Sequence, residues 1–549
     1  CKDLQTAANY LPARWDSENK NFGRITSGAA LALKGRVELL YASPLFNRAD
    51  DVTRWEAAYQ TNLAAVKKLE EGNFGLAYEN NSGKNAAGWG KIFSDYIGSE
   101  GGGGTVSEAV LVTLYNNVSP AEHLQLEKWN GWEHSLRPAN AGGGGGMTPT
   151  AEMVDLFPMA DGKKPNDMNG SYDYNQELFF LNRDPRFYRT FAFPGVEWKF
   201  DSDDLKSFGE KGQLPYGING YTTGNNYKLW NYCWYDNVDD RNSNSKSGYA
   251  ADCLGTKNTG IYLRKRTDDL ALNSNPLYIF EKTSGNGFRQ SAAPYMEIRF
   301  AEVLLNYAEA ACGANHFDEA VNALKRIRKR VGYTDNCGLD PAIFNDRAKL
   351  FEAILYERQI ELAYEGKRFH DVRRWMLFDG GVGQEALKST WKLTGFNGNT
   401  CNYLGVEPLN GQRRHRIEVY AKNFIAAKSN NVYNEDKTIK ETYDELWNKR
   451  PTALSLTEDI TCTESADDEI TYADAKVKAL AQFYQEHFKR KNLSTDGNDE
   501  TILPTFKPYY YILGFKKNAM QNNVSLEQNI GWGDYWRGGA DGTFDPLAK

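Results

Sequence analysis

The chain is poor in the features that announce a function directly. No apolar run approaches the roughly 20 residues that a membrane-spanning helix needs, which excludes a bundle of membrane helices. Positive charge is not in excess: 65 Lys and Arg stand against 72 Asp and Glu, a net charge of −7. That removes the electrostatic footprint of a general nucleic-acid binder. Histidine is scarce, with six residues at 123, 134, 316, 370, 415 and 487, and no two fall at helical metal-ligand spacing. HExxH, GxSxG, the Walker A loop and a GxGxxG turn opening a helix are all missing, so the catalytic classes that those patterns mark have no support. No CxxC pair is present, and no cysteine has a histidine at zinc-finger spacing. The chain is read as non-enzymatic, with no metal and no cofactor. The acidic clusters Asp201–Asp204 and Asp496–Glu500 leave calcium open, without the ligand spacing of a loop site.

What the chain has in abundance is aromatic residues: 32 Tyr, 27 Phe and 13 Trp among 549. Rings of this kind fill cores or stack on flat and sugar-ring ligands. At about 150 residues per domain the length allows three or four domains or one large layered unit.

Seven cysteines are present and one is residue 1. A chain opening Cys-Lys-Asp has the form of a bacterial lipoprotein after signal-peptide removal, so Cys1 is expected to carry lipid. Several acyl chains on one residue hold a body at a membrane without a spanning helix. The other six, Cys233, Cys253, Cys312, Cys337, Cys401 and Cys462, are even in number and suit an oxidising compartment, although free buried thiols are the commoner outcome in a long chain. Cys233 and Cys253 bracket a Tyr/Asn/Asp-rich stretch, and a bridge between them would stabilise that loop by roughly 3 kcal/mol.

Hydrophobic periodicity places helices at about 25–42 and 55–71, joined by a short link around Ser43-Pro44. A second hairpin follows at 297–311 and 317–331, and further helices at about 348–364 and 472–488. The hairpin spacing is similar to a tetratricopeptide unit of about 34 residues. Between these helices lie long segments rich in Gly, Tyr, Asn and Asp, including the glycine runs 101–104 and 142–146. Loops of such length on a helical scaffold are where binding usually sits. The expected fold is mostly α: one unit over 1–549, with a helical hairpin scaffold at about 23–72, 297–375 and 472–490. Loop-rich ligand-binding insertions are expected at about 73–295 and 376–470.

Two segments carry a resemblance. RFAEVLLNYAEA (299–310) and ERQIELAYEGKRFHDVRRW (357–375) resemble signatures of the SusD/RagB family of Bacteroidetes outer-membrane lipoproteins. ALKGRVELLYA, EEGNFGL, PTAEMVDLF (149–157), GIYLRKR (260–266) and LEQNIGW (526–532) follow in the family's order. Two departures stand out: Gln528-Asn529-Ile530-Gly531 replaces the usual QNPG, and the acidic patch after the lipidated cysteine is reduced to Lys2-Asp3. The resemblance implies a SusD-like fold and a cell-surface lipoprotein of the outer membrane. Its implied role is to capture oligo- or polysaccharide for a partner SusC-like TonB-dependent transporter. A peptide-binding member of the same partnership and an extracytoplasmic glycoside hydrolase are the alternatives. Read as helices, the two signature segments are scaffold: Arg299, Glu302 and Glu309 pair with neighbouring helices, and Glu357, Arg358, Glu361, Arg368, Asp371 and Arg374 tie helices together rather than catalyse.

In the resembled family the ligand aromatics lie in the loop after the second helix and in the insertion before the RFAEV helix. The first of these holds Tyr78 and Trp89, the latter flanked by Gly88 and Gly90 and so read as surface. The second holds Trp230, Tyr232, Trp234 and Tyr235, of which 230, 232 and 234 share one face of an extended stretch. Asn47, Asp236 and Asn237 are the expected hydroxyl partners, with Trp391 and Tyr403 as a reserve location.

Overall fold

The computed structural model describes residues 1–16, 18–83, 86–94, 106–118, 127–138, 143–144, 146–198, 227–230, 232, 260–267, 277, 288–381, 395–396, 398–412, 414–422, 449–456, 475–494 and 506–547. The helices that build its frame are α1 (Lys2–Tyr10), α2 (Ser27–Ala42), α3 (Val52–Glu71), α4 (Ala87–Ser94), α5 (Ala151–Leu156) and α6 (Pro185–Thr190). They continue with α7 (Phe300–Gly313), α8 (Phe317–Arg330), α9 (Arg347–Glu361), α10 (Arg368–Arg374), α11 (Thr400–Leu404) and α12 (Ala475–His487). The expected helices are all present, and their ends follow from their caps. Thr26 caps α2 by accepting from the Ala29 N–H, and Asp51 caps α3 by accepting from the Thr53 N–H, so each satisfies a donor that the first turn leaves open. Some boundaries shift: residues 295–299 are strand and α7 begins only at Phe300, α3 starts earlier than expected, at Val52, and α9 stops earlier, at Glu361.

Helices α2 and α3 pack as an antiparallel hairpin, and α7 packs against α3, α8 and α9. Close approach is set by small residues. A side chain at Gly28 would collide with Leu69, one at Gly35 with Asn62, and one at Gly313 with the ring of Trp55. Trp55, Phe351 and Trp375 meet at the centre of this core, with ring centroids 5.2 Å apart for Trp55–Phe351 and 4.8 Å for Phe351–Trp375.

The intervening segments are more ordered than their composition suggests. Nine short strands are described: β1 (Ala109–Thr113), β2 (Phe191–Ala192), β3 (Val196–Trp198), β4 (Tyr227–Leu229), β5 (Tyr262–Leu263), β6 (Tyr295–Arg299), β7 (His415–Ala421), β8 (Leu454–Ser455) and β9 (Phe488–Ser494). β1 pairs antiparallel with β6, β2 with β5, and β7 with β9, while β3 lies between β4 and β8. All of these strands except β1 and β6, together with α12, contribute to a second core of rings that includes Phe157, Phe179, Phe180, Phe187, Phe193, Trp198 and Tyr484. Much of the aromatic excess is therefore core. Segments expected as loops build a layer of their own, because these rings bury enough area to hold short strands together.

The helical layer is keyed to the rest by charges. The β1–β6 pairing sets Ala109 opposite Arg299 and so brings Glu108 to the Arg299 guanidinium at 2.7 Å. Glu361, at the C-terminal end of α9, accepts from Arg186 of α6 at 2.8 Å, from Arg299 at 2.8 Å, from the Trp89 indole N–H at 3.0 Å and from Arg330 of α8. All of these groups are buried. Burial alone would raise the Glu361 carboxyl, but Arg330, Arg299, Arg186 and Lys265 outweigh it and hold it well below the ordinary carboxylate range. Glu365 is held at about 2 against the same desolvation by Arg299 and Lys265.

A second knot joins α7, α9 and α10. Asp371 accepts from Arg358 at 3.1 Å and from Arg374 at 2.7 Å, while Glu309 accepts from Arg374 at 2.7 Å and from the Trp375 indole at 2.6 Å. Arg299, at the end of β6, and Glu302 and Glu309 of α7 pair with neighbouring elements as expected; Glu302 takes Arg36 at 2.8 Å.

Removing the central charge tests this frame. Glu361→Gln leaves three buried guanidinium groups short of a counter-charge, so chemical denaturation should show a loss of about 3–5 kcal/mol. An unchanged denaturation midpoint would contradict the role given to Glu361.

Candidate functional site

Among the described residues, those expected to form a ligand platform are not brought together as one. Trp89 is 0% exposed: its indole is spent on Glu361, and the Lys265 ammonium lies 4.7 Å from its ring centroid. Gly88 and Gly90 do not put Trp89 on the surface; they let α4 approach Tyr78 and Arg189 closely. Tyr78 is half-buried, has a φ of 60°, and packs against the same small cluster as Trp89. Trp230 and Tyr232 are 4% and 1% exposed and belong to the second core, against Phe483 and Phe488. Asn47, 2% exposed, closes the α2–α3 turn by donating to the Ala42 and Asp51 carbonyls and accepting from the Asp51 N–H. These five are structural residues, because their polar atoms or ring faces are already occupied. Trp234, Tyr235, Asp236, Asn237 and Trp391 lie outside the described residues.

The cysteines divide in the same way. Cys312, Cys337 and Cys401 are buried free thiols, so no complete pairing of the six exists. Burial pushes the Cys401 thiol up to about 12, which removes its reactivity as a thiolate. Cys233, Cys253 and Cys462 lie outside the described residues, and Cys1 is exposed.

The structure does show an open cleft of about 650 Å³ at the edge of the helical layer. One wall is a single face of α9, with Glu352, Leu355, Tyr356 and Gln359 at helical spacing. A second is α10, with Arg368, Phe369, Val372 and Arg373. Thr150, Glu152, Met153 and Leu156 around α5 complete the lining, with Leu404, Val406, Glu407, Leu409, Gln412 and Arg414 from the chain that runs out of α11. Apolar side chains such as Met153, Leu156, Leu355, Val372 and Leu409 line it together with a few polar and charged groups, the mix of a small-molecule site.

The walls are held rigid from behind. The knot at Asp371 fixes α10 against α9, and the Tyr356 hydroxyl donates to the Leu156 carbonyl at 2.6 Å, tying α9 to α5. Phe378 stacks on Phe506 with centroids 4.0 Å apart. Phe369 stays 45% exposed, with the Arg373 guanidinium 3.6 Å from its ring centroid. Among the cleft carboxylates, Glu152 accepts from the His415 backbone N–H at 3.1 Å and lies 2.6 Å from its Nδ1. Glu352 pairs with Lys164, and Glu407 accepts from Gln412 at 3.1 Å. Among the described residues no group of three His, Cys, Asp or Glu is placed to hold a metal.

The sequence carried a signal for this cleft that was read as scaffold. Phe369 is an aromatic residue directly after the first residue of a helix whose other conspicuous members are charged, and Tyr356 and Gln359 are three residues apart on α9. Tyr403, the reserve candidate, is half-buried on α11 and packs its ring against Phe396.

The burial of Trp89 gives a direct check. Trp89→Ala should lower stability by about 3–5 kcal/mol in denaturant unfolding, the range for truncating a buried Trp. Loss of ligand binding with stability intact would restore Trp89 to the surface role.

Comparison with known proteins agrees with this architecture. The profile of the SusD family matches residues 90–532, most of the chain. A SusD-like protein P2 of Formosa agariphila is 34% identical over 131 residues, which is 22% of this chain and 25% of that protein, so the match spans a quarter of that relative's length. The crystal structure of a SusD-like protein from Bacteroides fragilis superposes with a TM-score of 0.51 at 20% identity, covering 97% of this chain and 70% of that one. This likeness is one of fold. The helical hairpins, the ordered motifs and the family profile lead to one conclusion: the chain belongs to the SusD family.

Proposed function

We propose that the protein is a cell-surface glycan-binding lipoprotein that captures oligosaccharide in the α9–α10 cleft and delivers it to a TonB-dependent outer-membrane transporter, by binding and without turnover. The observation that carries the reading is the cleft itself. It combines apolar lining side chains, a half-exposed Phe369 ring, and Gln359, Gln412 and Glu407, all set on a frame locked by buried ion pairs. Sugar rings present one apolar face and a rim of hydroxyls, so an aromatic surface beside amide and carboxylate groups suits them. The volume of about 650 Å³ lies within the range of such sites. The three cleft carboxylates are engaged with His415, Lys164 and Gln412, which favours positioning over acid–base work.

Lipid on Cys1 would supply the anchor. Cys1 is exposed at the start of α1, and no helix among the described residues is long and apolar enough to cross a membrane.

Two experiments test the reading. Phe369→Ala should weaken oligosaccharide binding by about 1–3 kcal/mol in calorimetry, in the range of a lost aromatic hot spot, with thermal unfolding nearly unchanged. Binding of casein-derived peptides but of no saccharide would instead favour a peptide receptor, and release of reducing ends by the pure protein would favour a hydrolase. Cys1→Ala should move the protein from the membrane to the soluble fraction of cells lacking the transporter; unchanged partitioning would contradict the anchor.

A further inference from the structure

The buried arginines that key the frame together, such as Arg186, Arg299, Arg330, Arg358 and Arg374, each meet carboxylates. Two arginines of the cleft do not. Arg368, the first residue of α10, lines the cleft and has no hydrogen bond or ion pair among the described residues. Burial lowers its affinity for the proton; Asp371 opposes this, and Arg414, Arg374 and Arg358 add to it. Asp371 is already occupied by Arg358 at 3.1 Å and Arg374 at 2.7 Å, so it offers Arg368 little.

Arg373, also lining the cleft, lies over Phe369 and donates one Nη to the Phe369 carbonyl at 3.0 Å. Its Nε is buried without an acceptor. Of the carboxylates that share the cleft, Glu152 is engaged by His415 and Glu352 by Lys164, while Glu407 accepts from the Gln412 amide; among the described residues none bonds to Arg368 or Arg373.

A partly desolvated guanidinium without a counter-charge is costly, and two on one short helix repel each other. The cost is relieved when an anion enters. A guanidinium fork fits a planar carboxylate or a sulfate oxygen pair through two parallel N–H bonds, which a hydroxyl cannot match. We infer that the cleft selects oligosaccharides bearing an anionic substituent, a uronate carboxylate or a sulfate ester, held by Arg368 and Arg373 beside the Phe369 ring. The inference rests on the proposed glycan-binding function and adds the chemical class of the sugar. The chain's net charge of −7 makes this a local preference of the cleft, not a general attraction for polyanions.

The test titrates the full chain by calorimetry with trigalacturonate, a sulfated galactan oligosaccharide and neutral galactotriose. At least one acidic ligand should bind about tenfold or more tightly than the neutral one, as expected for charged hydrogen bonds, and its affinity should fall with added salt. The arm that responds identifies carboxylate or sulfate as the group recognised. Arg368→Gln and Arg373→Gln should each remove most of that advantage, lowering acidic-ligand affinity several-fold more than galactotriose affinity. Arg368→Lys should restore it only in part, because the charge returns without the fork. The wild-type salt dependence needs no variant and so stands even where a substitution impairs folding. Equal affinity for acidic and neutral sugars, or acidic binding indifferent to both substitutions, would overturn the inference while leaving glycan binding intact. Binding of none of the three would overturn the inference and count against the cleft as a glycan site.

Discussion

The structure depends on one buried carboxylate. Glu361 sits at the end of α9 and gathers donors from α4, α6, α8 and the junction of β6 with α7. Elements separated by up to 272 residues in the chain meet at that group. Hydrophobic burial drives these helices together but does not tell them how to align, since apolar contact is non-directional. A carboxylate surrounded by guanidinium forks has few acceptable geometries, and any other arrangement leaves charge buried and unpaired. The network therefore fixes register and orientation more than it adds net stability.

The consequence for function is a division of labour. The helical layer, locked by the knots at Glu361 and Asp371, holds α9 against α10, and the second core of aromatic rings carries α5, which the Tyr356 hydroxyl ties to α9 at the Leu156 carbonyl. The cleft arises where the two layers part. Its walls are backed by ion pairs on the hidden side and face outward with Phe369, Gln359 and Arg368. A ligand surface built on such walls loses little freedom on binding, which favours affinity from a few contacts.

The scaffold was legible in the sequence, and the site largely was not. Helical periodicity located α2, α3, α7, α8, α9 and α12 because each buries residues that recur at three- and four-residue spacing, with a side-chain N-cap on α2, α3 and α9. The reading of Glu357, Arg358, Glu361, Asp371 and Arg374 as helix-tying charges also agrees with the structure, since all five are buried in ion pairs. Arg368 stands in the same motif yet has no hydrogen bond or ion pair among the described residues, a difference that depends on which carboxylates its neighbours have already taken. Trp89 was misjudged because flanking glycines suggest exposure, whereas here they permit close packing. The strands β7 and β9 were missed because His415–Ala421 and Phe488–Ser494 mix charged and apolar residues and find each other only across a long stretch of chain. Pairing of that kind is set by tertiary contact, not by local propensity.

The central claim, that a saccharide occupies the α9–α10 cleft, is tested most directly by a crystal structure of the full chain with an acidic oligosaccharide. The account predicts sugar density between Phe369 and Gln412, with the anionic group against Arg368. An ordered sugar bound elsewhere on the molecule, with this cleft empty, would contradict it.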